Sequence, residues 1–170
     1  MFRFQEVQNL NTYLGVPLFH ERVTSNTLSF IVDKVRQKLQ NWDARKLSMA
    51  GRITLAHSVL LSIPNYFMQF LMIPKGVCSE IEKLVRQFIW GRTDSHIKMS
   101  LVGWDSICQP QAQGGLGFRH LNDQNTSFLM KIGFRLVSKS NVLWVRVFCS
   151  KYGWKVHLPD SISRNQCSHL

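Results

Sequence analysis

Metal-assisted or acid–base catalysis needs carboxylates that converge, and this sequence holds only ten Asp and Glu in all. None forms an Asp-Asp pair or a spacing that suits two-metal chemistry on adjacent strands. The tightest pair, Glu80 and Glu82, is expected in the first turn of a helix, where the helix dipole accounts for it. His157 and His169 stand near Cys167, but a C-x-H without a second ligand pair is no zinc pattern. The four cysteines, Cys78, Cys108, Cys149 and Cys167, form no C-x-x-C, so they read as reduced intracellular thiols with no local activating group. No nucleophile elbow, phosphate-binding loop or H-E-x-x-H helix occurs. No catalytic residue, metal or cofactor is expected.

The side chains that remain for chemistry are basic. Lys34, Lys38, Arg45, Lys46 and Arg52 fall within 19 residues that contain one acid, Asp43. Lys131, Arg135 and Lys139 follow at intervals of four, which stacks them on one side of a helix. The whole chain carries 21 Lys and Arg against ten acids, a net charge of +11. A surplus of that sign favours nucleic acid or an anionic surface. Two readings of the basic rows are open, a track for a phosphate backbone and an ordinary solvated helix face. A membrane span is not expected, because the most apolar window, Val59 to Pro74, is too short and is interrupted by Pro64, Asn65 and Gln69. No signal peptide is expected either, since the first residues lack a basic segment leading into an apolar run.

These basic residues need elements to carry them. Hydrophobic residues at 45% exclude a disordered chain. Leu28, Ile31, Val32, Val35, Leu39 and Trp42 recur at helical spacing, which predicts an amphipathic helix over 24–42, capped by Thr24 or Ser25, with Lys34 and Lys38 at one border. Ser48 caps a second helix over 48–63, after which Pro64 leaves two possibilities: a kinked continuation or a new short helix. Ser79 with Glu82 reads as a capping box for a third helix over 79–90. A Gly-rich loop with a short helix near Trp104 to Cys108 leads to helices at 123–138, with Phe128, Leu129, Ile132 and Leu136 inward, and at 142–152. Trp42, Tyr66 and Trp90 fall at spacings that suit packing in the core. The fold class expected is mainly α, a small helical bundle with a short N-terminal strand or hairpin near 13–18, a loop-rich middle and a flexible tail.

The string WDARKLSMAGRITLAHSVLLSIPNYFMQ, followed by EKLVRQFIWG, GGLGFRHLNDQN and FLMKIGFRL, and preceded by YLGVPL, strongly resembles plant LINE-type non-LTR retrotransposon reverse transcriptases. The resemblance covers most of residues 11–154. It implies a post-palm, primer-grip-like region at 1–23 carrying Tyr13, Leu14 and Gly15, a thumb-like bundle at 24–91, a connecting region at 92–154 and a tail at 155–170. In that family the Tyr-X-Asp-Asp strand and its metal-binding acids lie upstream, and the ribonuclease H domain downstream. Neither motif is in this sequence. What the resemblance implies is therefore a non-catalytic segment that meets RNA·DNA hybrid or duplex nucleic acid weakly and without base preference, beside a palm domain not present in this chain. It also implies an intracellular, nuclear setting. The alternative is a purely structural or non-functional remnant of a degenerate element.

Overall fold

The computed structural model describes residues 12–17, 24–44, 46–91, 102–138 and 142–152, and over these the chain is mainly helical, as expected. Strands β1 (Thr12–Tyr13) and β2 (Val16–Pro17) pair antiparallel, with Thr12 opposite Pro17 and Tyr13 opposite Val16. The two residues between them, Leu14 and Gly15, both have positive φ, 51° and 76°. That is the backbone of the tight hairpin turn whose twist matches its strands.

Helix α1 (Ser29–Gln40) buries Ile31, Val32, Val35 and Leu39 along one stripe. It starts later than Thr24 because Thr24 and Thr27 bond to each other instead, each backbone N–H donating to the other's hydroxyl at 3.3 Å. This local turn competes with helix. Helix α2 (Met49–Met68) opens on the expected cap, with Ser48 Oγ accepting the Gly51 N–H at 3.1 Å. Of the two readings at Pro64, the continuous helix is the one observed. An interior proline costs about 3 kcal/mol, while burying Phe67 and Met68 on the stripe of Ala56, Val59, Leu60 and Pro64 contributes about 1.5–3 kcal/mol for each. Burial outweighs the missing hydrogen bond.

Helix α3 (Lys75–Ile89) corrects the expected start at Ser79. It begins directly behind Pro74, whose carbonyl accepts the Val77 and Cys78 N–H groups at 3.0 and 3.2 Å. Val77 and Cys78 extend the buried stripe of Ile81, Val85, Phe88 and Ile89 toward the N-terminus, and this apolar contact outweighs the local capping pattern. Glu80 and Glu82 therefore lie beyond the first turn. The carboxylate of Glu82 instead accepts the backbone N–H of Leu121 at 2.7 Å, at the start of another helix.

The short α4 (Trp104–Ile107) adds Trp104 and Ile107 to the core formed by α1, α2 and α3, which Phe118 and Leu121 also join. Between them the chain folds back on itself: Gly115, Leu116 and Gly117 donate to the carbonyls of Pro110, Ile107 and Gln109 at 3.2, 3.0 and 3.0 Å. Helix α5 (Leu121–Ser138) packs on α2 and α3, and α6 (Leu143–Tyr152) follows. Only the beginning of α5 is embedded. Phe128 and Leu136 are half-buried, but Leu129 and Ile132, expected inward, are exposed, and Met130 and Phe134 are 69% and 72% exposed. The expected stripe is split between a half-buried and an exposed side, and the buried residues of α5, Leu121 and Asn125, both lie in its first turns. The tail at 155–170 lies outside the described residues.

A Cβ placed on Gly115 would sit 2.0 Å from the Gln109 carbonyl oxygen, a contact that only backbone movement can relieve. Gly115→Ala should therefore lower the unfolding free energy by about 1–3 kcal/mol. Gly103→Ala, where a Cβ meets nothing within 4 Å, should change it by less than about 0.5 kcal/mol. Urea unfolding of the two variants beside the parent checks both.

Candidate nucleic-acid interface

Lys34 and Lys38 lie on α1 one turn apart, and both side chains are exposed. Each ammonium sits over an aromatic ring, Lys34 Nζ 5.6 Å from the centroid of Phe67 and Lys38 Nζ 5.5 Å from that of Trp42. The ring quadrupole attracts the cation without removing it from water. The two amines are thus held in place yet remain available to an anion. Trp42 is itself tilted against Phe88 at 6.3 Å, and Phe67 meets Phe30 edge-on at 5.2 Å, so both platforms rest on the core.

From Phe67 the aromatic contacts run outward to Tyr66 at 5.3 Å and on to Phe70 at 5.5 Å. The Tyr66 hydroxyl donates to the carbonyl of Leu14, in the hairpin turn. Leu14 and Gly15 are thereby joined to Lys34 by an unbroken series of contacts. Of the three residues that the resemblance marked as primer-grip-like, Tyr13 contributes its backbone to β1. Tyr66 packs on Phe67 and Phe70 at the edge of the core and not within it: 36% of it is exposed, and its hydroxyl serves the hairpin. Trp42 and Trp90 are half-buried, as their spacing suggested.

The other basic residues take different places. Lys46 is exposed in the turn before α2. Arg45 and Lys139 lie outside the described residues. Arg52 is half-buried and its guanidinium lies against Gly91, close enough that a Cβ there would be 2.4 Å from Nη1. It meets the C-terminal end of α3, where the helix dipole favours a cation. Lys131 and Arg135 are exposed on α5, a different helix from the one that carries Lys34 and Lys38. Arg36, which sequence reasoning passed over, bonds Asp33 at 2.8 Å and Glu80 at 3.4 Å and so links α1 to α3. Its spacing of three from Asp33 was the available signal.

Among the described residues no group of three His, Cys, Asp or Glu could hold a metal ion, and no helix is long and apolar enough to cross a membrane. Burial raises the Cys78 thiol from an ordinary pKa of 9.0 to about 11, with the negative charge of Glu82 adding to it. Burial likewise raises Cys108 to about 12, helped by Glu82, Asp105 and Asp123. Thiols held protonated in this way are poor nucleophiles.

The sequence is 34% identical over 137 residues to an Arabidopsis thaliana protein named putative ribonuclease H protein, an overlap of 81% of this chain and 22% of the relative. It is 30% identical over 93 residues to an uncharacterized mitochondrial protein of Arabidopsis thaliana, 54% of this chain and 60% of that one. The chain thus spans about a fifth of the first relative and three fifths of the second. No family model matches, and no solved structure matches.

Because both thiol pKa values are raised on folding, their neutral forms contribute stability that is fully present below pH ~9 and is lost as the pH rises toward 11 to 12. Unfolding free energies measured across that window should fall, and Cys78→Ala with Cys108→Ala should flatten the decline. An equal slope in the double variant would assign the loss to other groups.

Proposed function

We propose that this chain is a non-catalytic, thumb-like segment of retroelement origin that grips RNA·DNA hybrid or duplex DNA by its phosphate backbone, without reading bases. The observation that carries this reading is the pair Lys34 and Lys38, exposed, one turn apart and each stationed over a core-anchored ring. A backbone ligand needs fixed cations on a firm surface, and this edge of α1 supplies them. The hairpin turn at Leu14 and Gly15, tied to the same surface through Tyr66, is the place where a strand end would meet the edge. Lys46 extends the basic run at the turn into α2, with Arg45 next to it in sequence, and Lys131 and Arg135 give a second patch on α5, with Lys139 following them in sequence. In a longer protein a palm domain would adjoin the hairpin. The ribonuclease H named in one relative belongs to a protein of which this chain matches 22%, so no nuclease role is proposed for this segment.

The uncovered apolar residues of α5 favour a second reading, a purely structural remnant with no ligand. Salt dependence separates the two. Replacing Lys34, Lys38 and Lys46 by Gln should reduce the slope of log affinity against log salt on duplex DNA by about 2.7, roughly 0.9 for each phosphate contact. The loss should be alike for all sequences. Each lost ring contact costs about 0.5–1 kcal/mol at an exposed site, so the variant should remain folded by thermal unfolding. An unchanged slope in a folded variant sinks the proposal and leaves the remnant.

The chain should also neither extend a primer nor cleave RNA in Mg²⁺ or Mn²⁺. Extension or cleavage that survives repurification and exceeds a buffer blank would overturn its non-catalytic assignment.

A further inference from the structure

We infer that the outward side of α5 is a docking site for one helix of a partner protein, an amphipathic helix with an apolar stripe and acidic borders. Met130, Gly133, Phe134 and Val137 follow the helical spacing i, i+3, i+4, i+7, and all four are exposed, Val137 at 60%. On a helical wheel they lie roughly opposite Leu121 and Asn125, the buried residues of α5. The stripe is thus a second one, and the core of this chain makes no use of it.

Shape selects a helix as the occupant. Four residues at i, i+3, i+4 and i+7 form the hole into which a facing helix inserts one side chain. Here the hole is open at one corner, because Gly133 carries no side chain and a Cβ built there would meet nothing within 4 Å. Glycine is the poorest helix former after proline, and at Gly133 no positive φ and no close contact within the chain calls for it. A neighbouring backbone that approaches closely across the helix does.

Charge selects which helix. Lys131 and Arg135 are exposed four residues apart and border the stripe beside Phe134, and no Asp or Glu follows Asp123 through the end of α6. Their complement is an acidic edge. The same stretch of a second copy would bring cations alone to this border, on a molecule of net charge +11, so the occupant is a different protein. An anionic lipid surface would satisfy the charges, but it has no backbone to bring up to Gly133. None of this rests on the phosphate-backbone reading, which turns on Lys34 and Lys38 of α1.

The test adds the full chain to a labelled synthetic helix with leucine at its heptad a and d positions and glutamate at e and g, and follows fluorescence anisotropy. Counterparts carry glutamine or lysine at e and g. The glutamate helix should bind best and the lysine helix worst. Phe134→Ala should weaken the glutamate helix about tenfold, as expected when a large apolar side chain loses its burial. Gly133→Ala should weaken it too, because a methyl group intrudes on the hole, while raising the thermal midpoint of the chain alone, because alanine is the better helix former. Both positions are exposed, so both variants should fold, and thermal unfolding checks that they do. Lys34→Gln with Lys38→Gln should leave helix binding intact while weakening duplex DNA, so the two readings fail separately. No binding, equal binding of the glutamate and lysine helices, or binding untouched by Phe134→Ala and Gly133→Ala would each overturn the proposal. A dimer in dilute buffer that Phe134→Ala dissolves would overturn it in favour of a second copy. Sedimentation with phosphatidylserine vesicles that Phe134→Ala abolishes would overturn it in favour of a lipid surface.

Discussion

The buried amide of Asn125 is the interaction on which the second half of the molecule depends. Only 5% exposed, it donates to the Ile73 carbonyl at 2.8 Å and accepts the Ile73 N–H at 3.4 Å. Ile73 belongs to the link between α2 and α3, so one side chain fastens α5 to the joint of these two core helices. A satisfied buried amide is selective about geometry, because any other rotation of α5 would leave both partners unpaired. Glu82 adds a second fastening at the Leu121 N–H. With the helix fixed at Leu121 and Asn125, its neighbours Gln124 and Phe128 come to line a cavity together with Asn65.

The basic residues show how little composition alone says about role. Lys34 and Lys38 rest on rings and keep their charge in solvent. Arg36, between them in sequence, is bonded to Asp33 and Glu80 across two helices. Arg52 is drawn to the end of α3, against Gly91. A charge becomes available to a partner only where the fold offers it no carboxylate or helix end nearby.

Much of the helical core was legible because its stripes are local. Ile31, Val32, Val35 and Leu39 declare one face of α1 by spacing alone, and Ser48 declares a start by residue type. Features that misled were those settled at a distance. The Ser79 and Glu82 pattern resembles a cap, yet Glu82 finds its partner 39 residues away at Leu121. The bond from Tyr66 to Leu14 spans 52 residues, and nothing in either neighbourhood announces it. Spacing within α5 suggested an inward face at Leu129 and Ile132, but whether a face is covered depends on where neighbouring helices end. Of the basic candidates, sequence located Lys34 and Lys38 on one edge; it could not show the rings beneath them. That Asn65 and Gln124 line one cavity went unnoticed, the two being 59 residues apart with no motif between.

The bare outer surface of α5 and α6, with Met130, Phe134, Val137, Leu143 and Val147 all well exposed, sits on a molecule with a net charge of +11. Two copies meeting in dilute buffer repel through their charge before those oily surfaces can touch. Added electrolyte shortens the reach of that repulsion, from about 10 Å at 0.1 M to about 3 Å at 1 M, and leaves apolar attraction intact. The molecule is thus a charge-stabilised colloid: its second virial coefficient should be positive in weak buffer and change sign as ions are added.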